Sequence, residues 1–158
     1  MSRRKRSQRG NAMIEFALAF SIIVPVFLGT FQFGYTFYVY NLLQTQVRDG
    51  ARYAALRTFR AGDAHSIAAF STAVRNMVRY STPDGTEALI VPGLNDSNVI
   101  VSVVDRNGVA ADASHVPATV KVTINGFSID SVVKTTTFNQ HPYLQFTYAG
   151  RYAPAETE

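Results

Sequence analysis

The longest hydrophobic segment lies near the N-terminus. Between Glu15 and Arg48 there are 32 consecutive residues without Asp, Glu, Lys or Arg. A bilayer core of ~30 Å needs roughly 20 apolar residues in a helix that rises ~1.5 Å per residue. The pattern therefore predicts a membrane-spanning helix over about residues 13–38. Aromatic residues crowd its C-terminal end, as they do where rings straddle lipid and water: Phe31, Phe33, Tyr35, Phe37, Tyr38 and Tyr40.

The helical pattern continues beyond the span and becomes amphipathic. An apolar stripe recurs at helical spacing up to Phe59, so we expect one long helix over residues 11–59. Arg60 to Asp63 interrupts it, with Asp63 as a candidate cap for a second helix that ends near Tyr80. The first stripe comprises Leu42, Val47, Ala51, Ala54, Ala55 and Phe59, and the second comprises Ile67, Phe70, Val74, Met77 and Val78.

After Gly85 the period changes to that of strands. Val99 to Val103 and Thr119 to Ile124 alternate in hydrophobicity, and Asp105 to Gly108 has an Asn-Gly turn sequence. Further candidate strands are residues 88–91, 131–138 and 143–152. The predicted fold class is α+β: a long N-terminal transmembrane helix, a second short helix and a small antiparallel β-sheet domain within residues 60–158.

Charge is distributed unevenly along the 158 residues. The net charge is +4, but five of the nine residues before Gly10 are Arg or Lys. Without residues 1–10 the chain would carry 10 basic and 11 acidic side chains. The basic character therefore belongs to a short leader, which gives no support to nucleic-acid binding and places the N-terminus inside by the positive-inside rule. The absence of cysteine excludes a disulfide framework and a thiolate nucleophile.

The junction between the leader and the apolar segment has a specific arrangement. Glu15 stands at the inner end of the apolar run, five residues after Gly10 and directly before Phe16. A secretory signal peptide has a shorter apolar region without an acid and ends in a small-residue cleavage site, which this sequence lacks. A carboxylate at the edge of hydrocarbon is costly, so Glu15 is expected to have a partner or to complement the helix dipole. Pro25 predicts a helix kink.

The Gly10, Glu15 and Phe16 pattern resembles the prepilin-type leader of the Flp/Tad variant of type IV pilin-like proteins. The resemblance extends along the first third of the chain to the N-terminal signature of TadE-like pseudopilins of the tight-adherence pilus. It implies cleavage by a prepilin peptidase between Gly10 and Asn11, and it assigns Glu15 and Phe16 to assembly. The segments that carry it further are Glu15-Phe16-Ala17-Leu18, Pro25, Phe31-Gln32-Phe33-Gly34, Tyr40-Asn41 and Arg48-Asp49-Gly50-Ala51-Arg52-Tyr53-Ala54.

By this resemblance the chain is expected to be a minor pilin or pseudopilin of the bacterial cytoplasmic membrane, with its C-terminal domain outside. The implied partners are a prepilin peptidase, other pilin subunits, the pilus assembly platform and membrane lipid, without nucleic acid. His65, His115 and His141 lack metal-ligand spacing, and the sequence contains no catalytic motif. We therefore expect no enzyme activity, metal or cofactor. The alternative is an uncleaved single-pass anchor with an extracytoplasmic binding domain.

Overall fold

The fold begins with a single 49-residue helix, α1, which spans Gln8–Leu56 in the computed structural model. The model describes residues 8–61, 64–130 and 134–153. Most of the basic leader, the candidate cap Asp63 and the first residues of the predicted 131–138 strand lie outside these ranges. At ~1.5 Å per residue α1 is about 73 Å long, which is far longer than the domain that packs against its C-terminal half.

The C-terminal half of α1 is the centre of the hydrophobic core. Its buried side chains recur every three or four residues, as expected for one face of a helix. Leu43 is fully buried where the sequence pattern favoured Leu42, which is only partly buried, because Leu43 lies four residues before Val47 and so shares its face. The buried residues of this stripe are Val39, Leu43, Gln46, Val47, Ala51, Ala54 and Ala55.

The second helix, α2, spans Ala64–Tyr80 and crosses α1 closely. Val74 and Val78 are fully buried against it, as their spacing predicted. At the crossing Gly50 of α1 faces Val78, and a Cβ at this position would overlap Cγ2 of Val78. The buried side chain of Gln46 accepts a hydrogen bond of 3.0 Å from Ser81 Oγ at the end of α2. The two helices are therefore joined by small residues and one buried polar contact.

A three-stranded antiparallel sheet covers the other side of α1. It consists of β2 (Val99–Val104), β3 (Thr119–Ile124) and β6 (Tyr143–Thr147) in the order β2-β3-β6. Val120, Val122 and Ile124 are fully buried, which confirms the predicted inward face of β3. Asp105 to Gly108 forms the predicted turn, but the chain after it makes only a single bridge, between Val104 and Ala110, before it leads on to β3.

Two smaller sheets complete the domain. β4 (Phe127–Ile129) and β5 (Thr136–Phe138) form an antiparallel hairpin. β1 (Phe59–Arg60) pairs in parallel with β7 (Tyr152–Ala153), so the end of the domain returns to the end of α1. A short 3₁₀ helix, Asp96–Asn98, precedes β2, and Asp96 forms ion pairs with Arg75 at 3.2 Å and Arg79 at 3.6 Å on α2.

The α+β class with a long apolar helix, a short helix and small antiparallel sheets is confirmed, but several boundaries differ. Helix α1 begins at Gln8 and ends at Leu56, because the chain reverses there and Phe59 pairs in β1. Residues 88–91 form no strand: the amide of Ile90 bonds the carbonyl of Arg79 at the end of α2. Residues 143–152 are divided between β6 and β7 by the bend from Tyr148 to Arg151.

Replacement of Gly50 by Ala should destabilise the domain. Ala ordinarily favours a helix over Gly by ~1 kcal/mol, but the added methyl group overlaps Val78, and overpacking costs about 1–3 kcal/mol. We expect a net loss of about 1–2 kcal/mol in the free energy of unfolding, measured by denaturant titration of the full chain in detergent. The matched control is Gly34→Ala, where a Cβ meets nothing within 4 Å. Val78→Ala should rescue Gly50→Ala, and equal stability of the two glycine variants would contradict the tight crossing.

Candidate assembly surface on the N-terminal helix

The predicted processing residues lie inside α1. Gly10 and Asn11 are both exposed and helical, and the helix already begins at Gln8. Asn11 therefore does not cap α1 in the full chain, because helical backbone precedes it. No atom lies within 4 Å of a Cβ built at Gly10. Gly10 therefore has no side chain of another element packed against it.

Glu15 and Phe16 are both exposed one turn further along. Glu15 forms no ion pair with any residue that the structure describes. Its carboxylate lies one helical turn from the backbone nitrogen of Asn11, and helical side chains tilt toward the N-terminus. Phe16 is 67 % exposed and stacks on Phe20 with ring centroids 5.7 Å apart. This end of the helix therefore presents an unpaired acid beside an aromatic pair.

The segment from Gly10 to Tyr38 is largely an exposed apolar surface, on which only Val24, Leu28, Gln32 and Thr36 are partly buried. α1 includes an 18-residue window of mean hydropathy 2.2, none of it buried, so by length and composition it is a candidate membrane span. The helix is continuous through Pro25, which leaves the carbonyl of Ser21 without its usual amide donor. The kink expected at Pro25 stays a prediction. Exposed hydrophobic residues point in all directions around it, including Ile14, Leu18, Ile22, Val26, Phe27, Phe31, Phe33 and Phe37.

Gln32 is a point of contact between the helix and the domain. Its Nε2 donates to the carbonyl of Lys134 at 3.0 Å, which joins α1 to the β4–β5 hairpin. Its Oε1 is buried without a partner among the described residues. No sequence signal identified this contact, because the two residues are 102 positions apart.

The other end of α1 is closed by Tyr148. Its hydroxyl lies 2.6 Å from the carbonyl of Arg57 and 2.9 Å from that of Arg151, and it accepts a hydrogen bond of 2.8 Å from the amide of Phe59. Gly150 is required beside it, because a Cβ there would overlap the Arg57 carbonyl. Burial raises the pKa of the Tyr148 hydroxyl, although the amide of Phe59 opposes the shift. The Tyr148 hydroxyl therefore joins the backbone groups of Arg57, Phe59 and Arg151 at this end of the domain.

The titratable residues of the domain are dispersed. The structure places no three acidic, histidine or cysteine side chains in a metal-binding group within the described ranges. His115 Nδ1 lies 2.9 Å from Asp112 Oδ1, and this hydrogen bond lowers the pKa of Asp112. The nearby cavity of about 570 Å³ also contains Asp105 and Tyr148. His65 and His141 lie elsewhere on the surface, and the three histidines do not converge.

Comparison with known families gives a match over the same segment. Residues 10–52 match the family model described as TadE-like protein. No curated protein and no solved structure matches the chain. The resemblance to TadE-like proteins is thus confirmed over residues 10–52 of α1, and the match includes the buried stripe as far as Ala51. It indicates a protein associated with the Tad pilus system, and the long apolar helix fits a membrane-anchored member of that system.

Removal of the Tyr148 hydroxyl should weaken the far end of the domain. Tyr148→Phe leaves the carbonyl of Arg57 without this donor, whereas the amide of Phe59 keeps the carbonyl of Arg151 as an acceptor at 2.8 Å. Loss of such a hydrogen bond costs about 0.5–1.5 kcal/mol. We expect a lower free energy of unfolding and faster amide hydrogen exchange at Phe59. Tyr143→Phe is the matched control, because no hydrogen bond to its hydroxyl is found in the described structure. Equal losses in the two variants would refute a special role for Tyr148.

The same hydroxyl should make stability fall at alkaline pH. Since its pKa is raised in the folded state, the folded chain favours the neutral phenol, and this contribution is complete below the ordinary pKa of 10.0. It is lost as the pH rises from there through the folded-state pKa. Denaturant titrations at pH values on either side of 10.0 should show a steeper loss for the parent chain than for Tyr148→Phe. Parallel pH profiles would contradict the assignment.

Proposed function

We propose that the protein is a minor pilin or pseudopilin that takes part in the assembly or initiation of a Flp/Tad pilus. The observation that carries the proposal is that the TadE-like match begins at Gly10 and that residues 10–20 of the helix it covers are all exposed. In this proposal residues 1–10 are the leader, and a prepilin peptidase removes them. The chain is the substrate of that enzyme and has no catalytic role of its own.

Removal of the leader has a physical reason in this proposal. A Lys or Arg at the centre of a bilayer costs about 2.5–3.5 kcal/mol on insertion scales, and five such residues precede Gly10. With the leader attached, the N-terminus is held at the inner membrane surface, which also sets the orientation with the domain outside. Cleavage replaces five cations by one α-amine at Asn11, so the helix can move out of the bilayer.

Glu15 is the proposed partner of that new amine. The α-amine of Asn11 would lie four residues from Glu15 on the helix, close enough for its own Glu15 or that of a neighbouring subunit to neutralise it. Pairing between subunits sets the axial offset between two helices, because an uncompensated carboxylate in an apolar bundle is costly. The exposed apolar surface from Phe16 to Phe37 then supplies the helix–helix contacts, with neighbouring pilins and the assembly platform as partners.

Processing is tested by the mass of the chain. Gly10→Val should abolish cleavage, because a bulky residue replaces the smallest one at the scissile bond. Intact-mass analysis of membrane-expressed protein, with and without a co-expressed prepilin peptidase, should show loss of residues 1–10 only in the parent and in the control Gly29→Val. Gly29 is chosen because, like Gly10, it has open space around its Cβ position. An intact leader in the parent would favour an uncleaved anchor.

Assembly is tested separately at Glu15. Glu15→Ala should still be cleaved, yet its amount in sheared filament fractions should fall strongly because the new amine lacks its partner. Asp49→Ala is the matched control: it removes an exposed acid from the same helix outside the apolar segment. Immunoblots of filament and membrane fractions measure the ratio. Incorporation of Glu15→Ala at the level of Asp49→Ala would contradict the docking role.

A further inference from the structure

The strand β6 forms an open edge of the three-stranded sheet, since it pairs with β3 on one side only. Along an antiparallel strand the N–H and C=O groups of successive residues point alternately to one side and to the other. The amide of Ile124 bonds the carbonyl of Pro142 at 3.0 Å, and the amide of Tyr148 bonds the carbonyl of Ala118 at 2.8 Å. These two bonds show that the even-numbered residues of this strand direct their backbone groups toward β3.

The odd-numbered residues of β6, which are Tyr143, Gln145 and Thr147, direct their backbone groups away from the sheet. Their three amides and three carbonyls have no hydrogen-bond partner within residues 8–61, 64–130 and 134–153. Native proteins commonly block such an edge with Pro or with charged side chains. β6 has the sequence Tyr-Leu-Gln-Phe-Thr and contains neither. Its outer edge is therefore open to the addition of another strand.

The opposite edge of the same sheet, at β2, is covered by the chain itself. The carbonyl of Val99 accepts a hydrogen bond of 3.2 Å from Arg75 Nε on α2. The carbonyl of Val103 accepts one of 2.9 Å from the amide of Ala111. Helix α2 also packs against β2. The fold therefore protects one edge of the sheet and leaves the other available.

The inner face of β6 is incompletely buried. Leu144 and Phe146 are partly buried, whereas Val122 and Val120, which lie directly opposite them on β3, are fully buried. A strand added beside β6 would place every second side chain on this face, next to Leu144 and Phe146. Apolar residues at those positions would complete the burial, and polar residues would occupy the alternate positions on the solvent face. The edge therefore fits an extended segment of alternating apolar and polar residues.

The direction of β6 decides which chain can supply that segment. Phe138, five residues before β6, contacts Tyr40, and Tyr148, just after β6, bonds the carbonyl of Arg57. β6 therefore runs in the same direction as α1. Two copies can join their β6 edges symmetrically only as antiparallel strands, which would point their N-terminal helices in opposite directions.

Copies anchored in one membrane have their helices pointing the same way, so this symmetrical pairing is closed to them. Addition of β6 to the β2 edge of the next copy is opposed by the contacts of Arg75 and Ala111 that cover β2. The segment that fits the open edge therefore belongs to a different polypeptide.

We propose that the outer edge of β6 is a docking edge, which takes an extended segment of a different polypeptide as an additional strand. The backbone groups of Tyr143, Gln145 and Thr147 supply the hydrogen bonds, and Leu144 and Phe146 supply the apolar contacts. The inference rests on the proposed function for the membrane orientation that it uses. Within that function, the partner is another component of the same pilus system that carries such an alternating segment.

The edge is blocked selectively by proline. Gln145→Pro removes one of the free amides and places a ring in the plane of pairing, whereas pairing with β3 uses the neighbouring residues. Gln145→Thr is the matched control, because it changes the same side chain and keeps the amide. Thr147→Pro is a second variant on the same edge. Thermal unfolding of each full-length variant in detergent identifies any variant that is misfolded, and the other Pro variant then decides the test.

Docking is measured by photocrosslinking in cells that produce the other components of the pilus system. Tyr143→p-benzoylphenylalanine places the probe on the open edge. Ile100→p-benzoylphenylalanine is the matched control, because Ile100 and Tyr143 both lie opposite Thr123 and are 41 % and 48 % exposed at opposite edges of the sheet. Mass spectrometry of the adduct identifies the crosslinked polypeptide and the segment that contains the crosslinked residue.

We expect an adduct of one defined mass from the probe at Tyr143 and none from the probe at Ile100. The crosslink should map to an alternating apolar and polar segment of a different polypeptide. Its yield should fall by about tenfold with Gln145→Pro or Thr147→Pro, which remove a donor and obstruct the edge, and should change little with Gln145→Thr.

Three results would overturn the docking edge: equal adduct yields with Gln145→Pro and Gln145→Thr, an adduct of two copies of this chain, or no adduct at Tyr143 above the level at Ile100. The mass of the parent chain in the same cells tests the proposed function separately. A cleaved parent without an edge adduct would refute this inference and leave the processing intact. A parent that keeps residues 1–10 would refute the processing, whereas an edge adduct in those cells would still support the docking edge.

Discussion

The fold depends on the burial of the C-terminal half of α1. Leu43, Val47 and Ala51 are fully buried there, and both the second helix and the three-stranded sheet pack around them. Close approach at Gly50 makes this arrangement possible, because a larger residue would hold the helices apart. The same helix has no buried side chain between Gly10 and Phe31. One element therefore serves as the core of the domain and as an unpartnered apolar rod.

Contacts at two levels join the domain to this helix. Gln32 and Tyr40 meet the β4–β5 hairpin at one end. At the other end, the hydroxyl of Tyr148 and the parallel pairing of β1 with β7 hold the chain just beyond Leu56. Between them the sheet contacts the helix continuously through β3 and β6. The domain is therefore supported along the helix from Gln32 to its C-terminus, and the exposed segment begins where this support ends.

Periodicity in the sequence was sufficient for the elements that have one buried face. It predicted α2, β2 and β3 because their apolar residues recur at the period of a helix or strand. It failed for residues 88–91, where Val91 is buried in the core although it lies in a loop. It also failed for the short strands of two or three residues, whose pairing depends on distant partners. The choice of Leu42 over Leu43 shows that periodicity locates a buried stripe to within one position. Which of two adjacent leucines is buried depends on the elements that pack against the helix.

The sequence predicted part of the candidate site and missed two of its contacts. Gly10, Glu15 and Phe16 were found by their spacing, and the family match begins at the same glycine. Gln32 and Tyr148 were missed in these roles because each acts through backbone groups about 90 or more positions away. Backbone acceptors have no sequence signature, so only the folded chain reveals such bonds.

The continuity of α1 between Pro25 and Leu56 has a mechanical consequence. A continuous helix held by contacts at Gln32 and again beyond Leu56 transmits torsion, so the β-sheet turns together with the helix segment between Pro25 and Gln32. The rotation of the exposed helix segment about its own axis, relative to neighbouring helices, therefore also determines the direction in which the outer face of the sheet points. Lys121 and Tyr143 lie on that face.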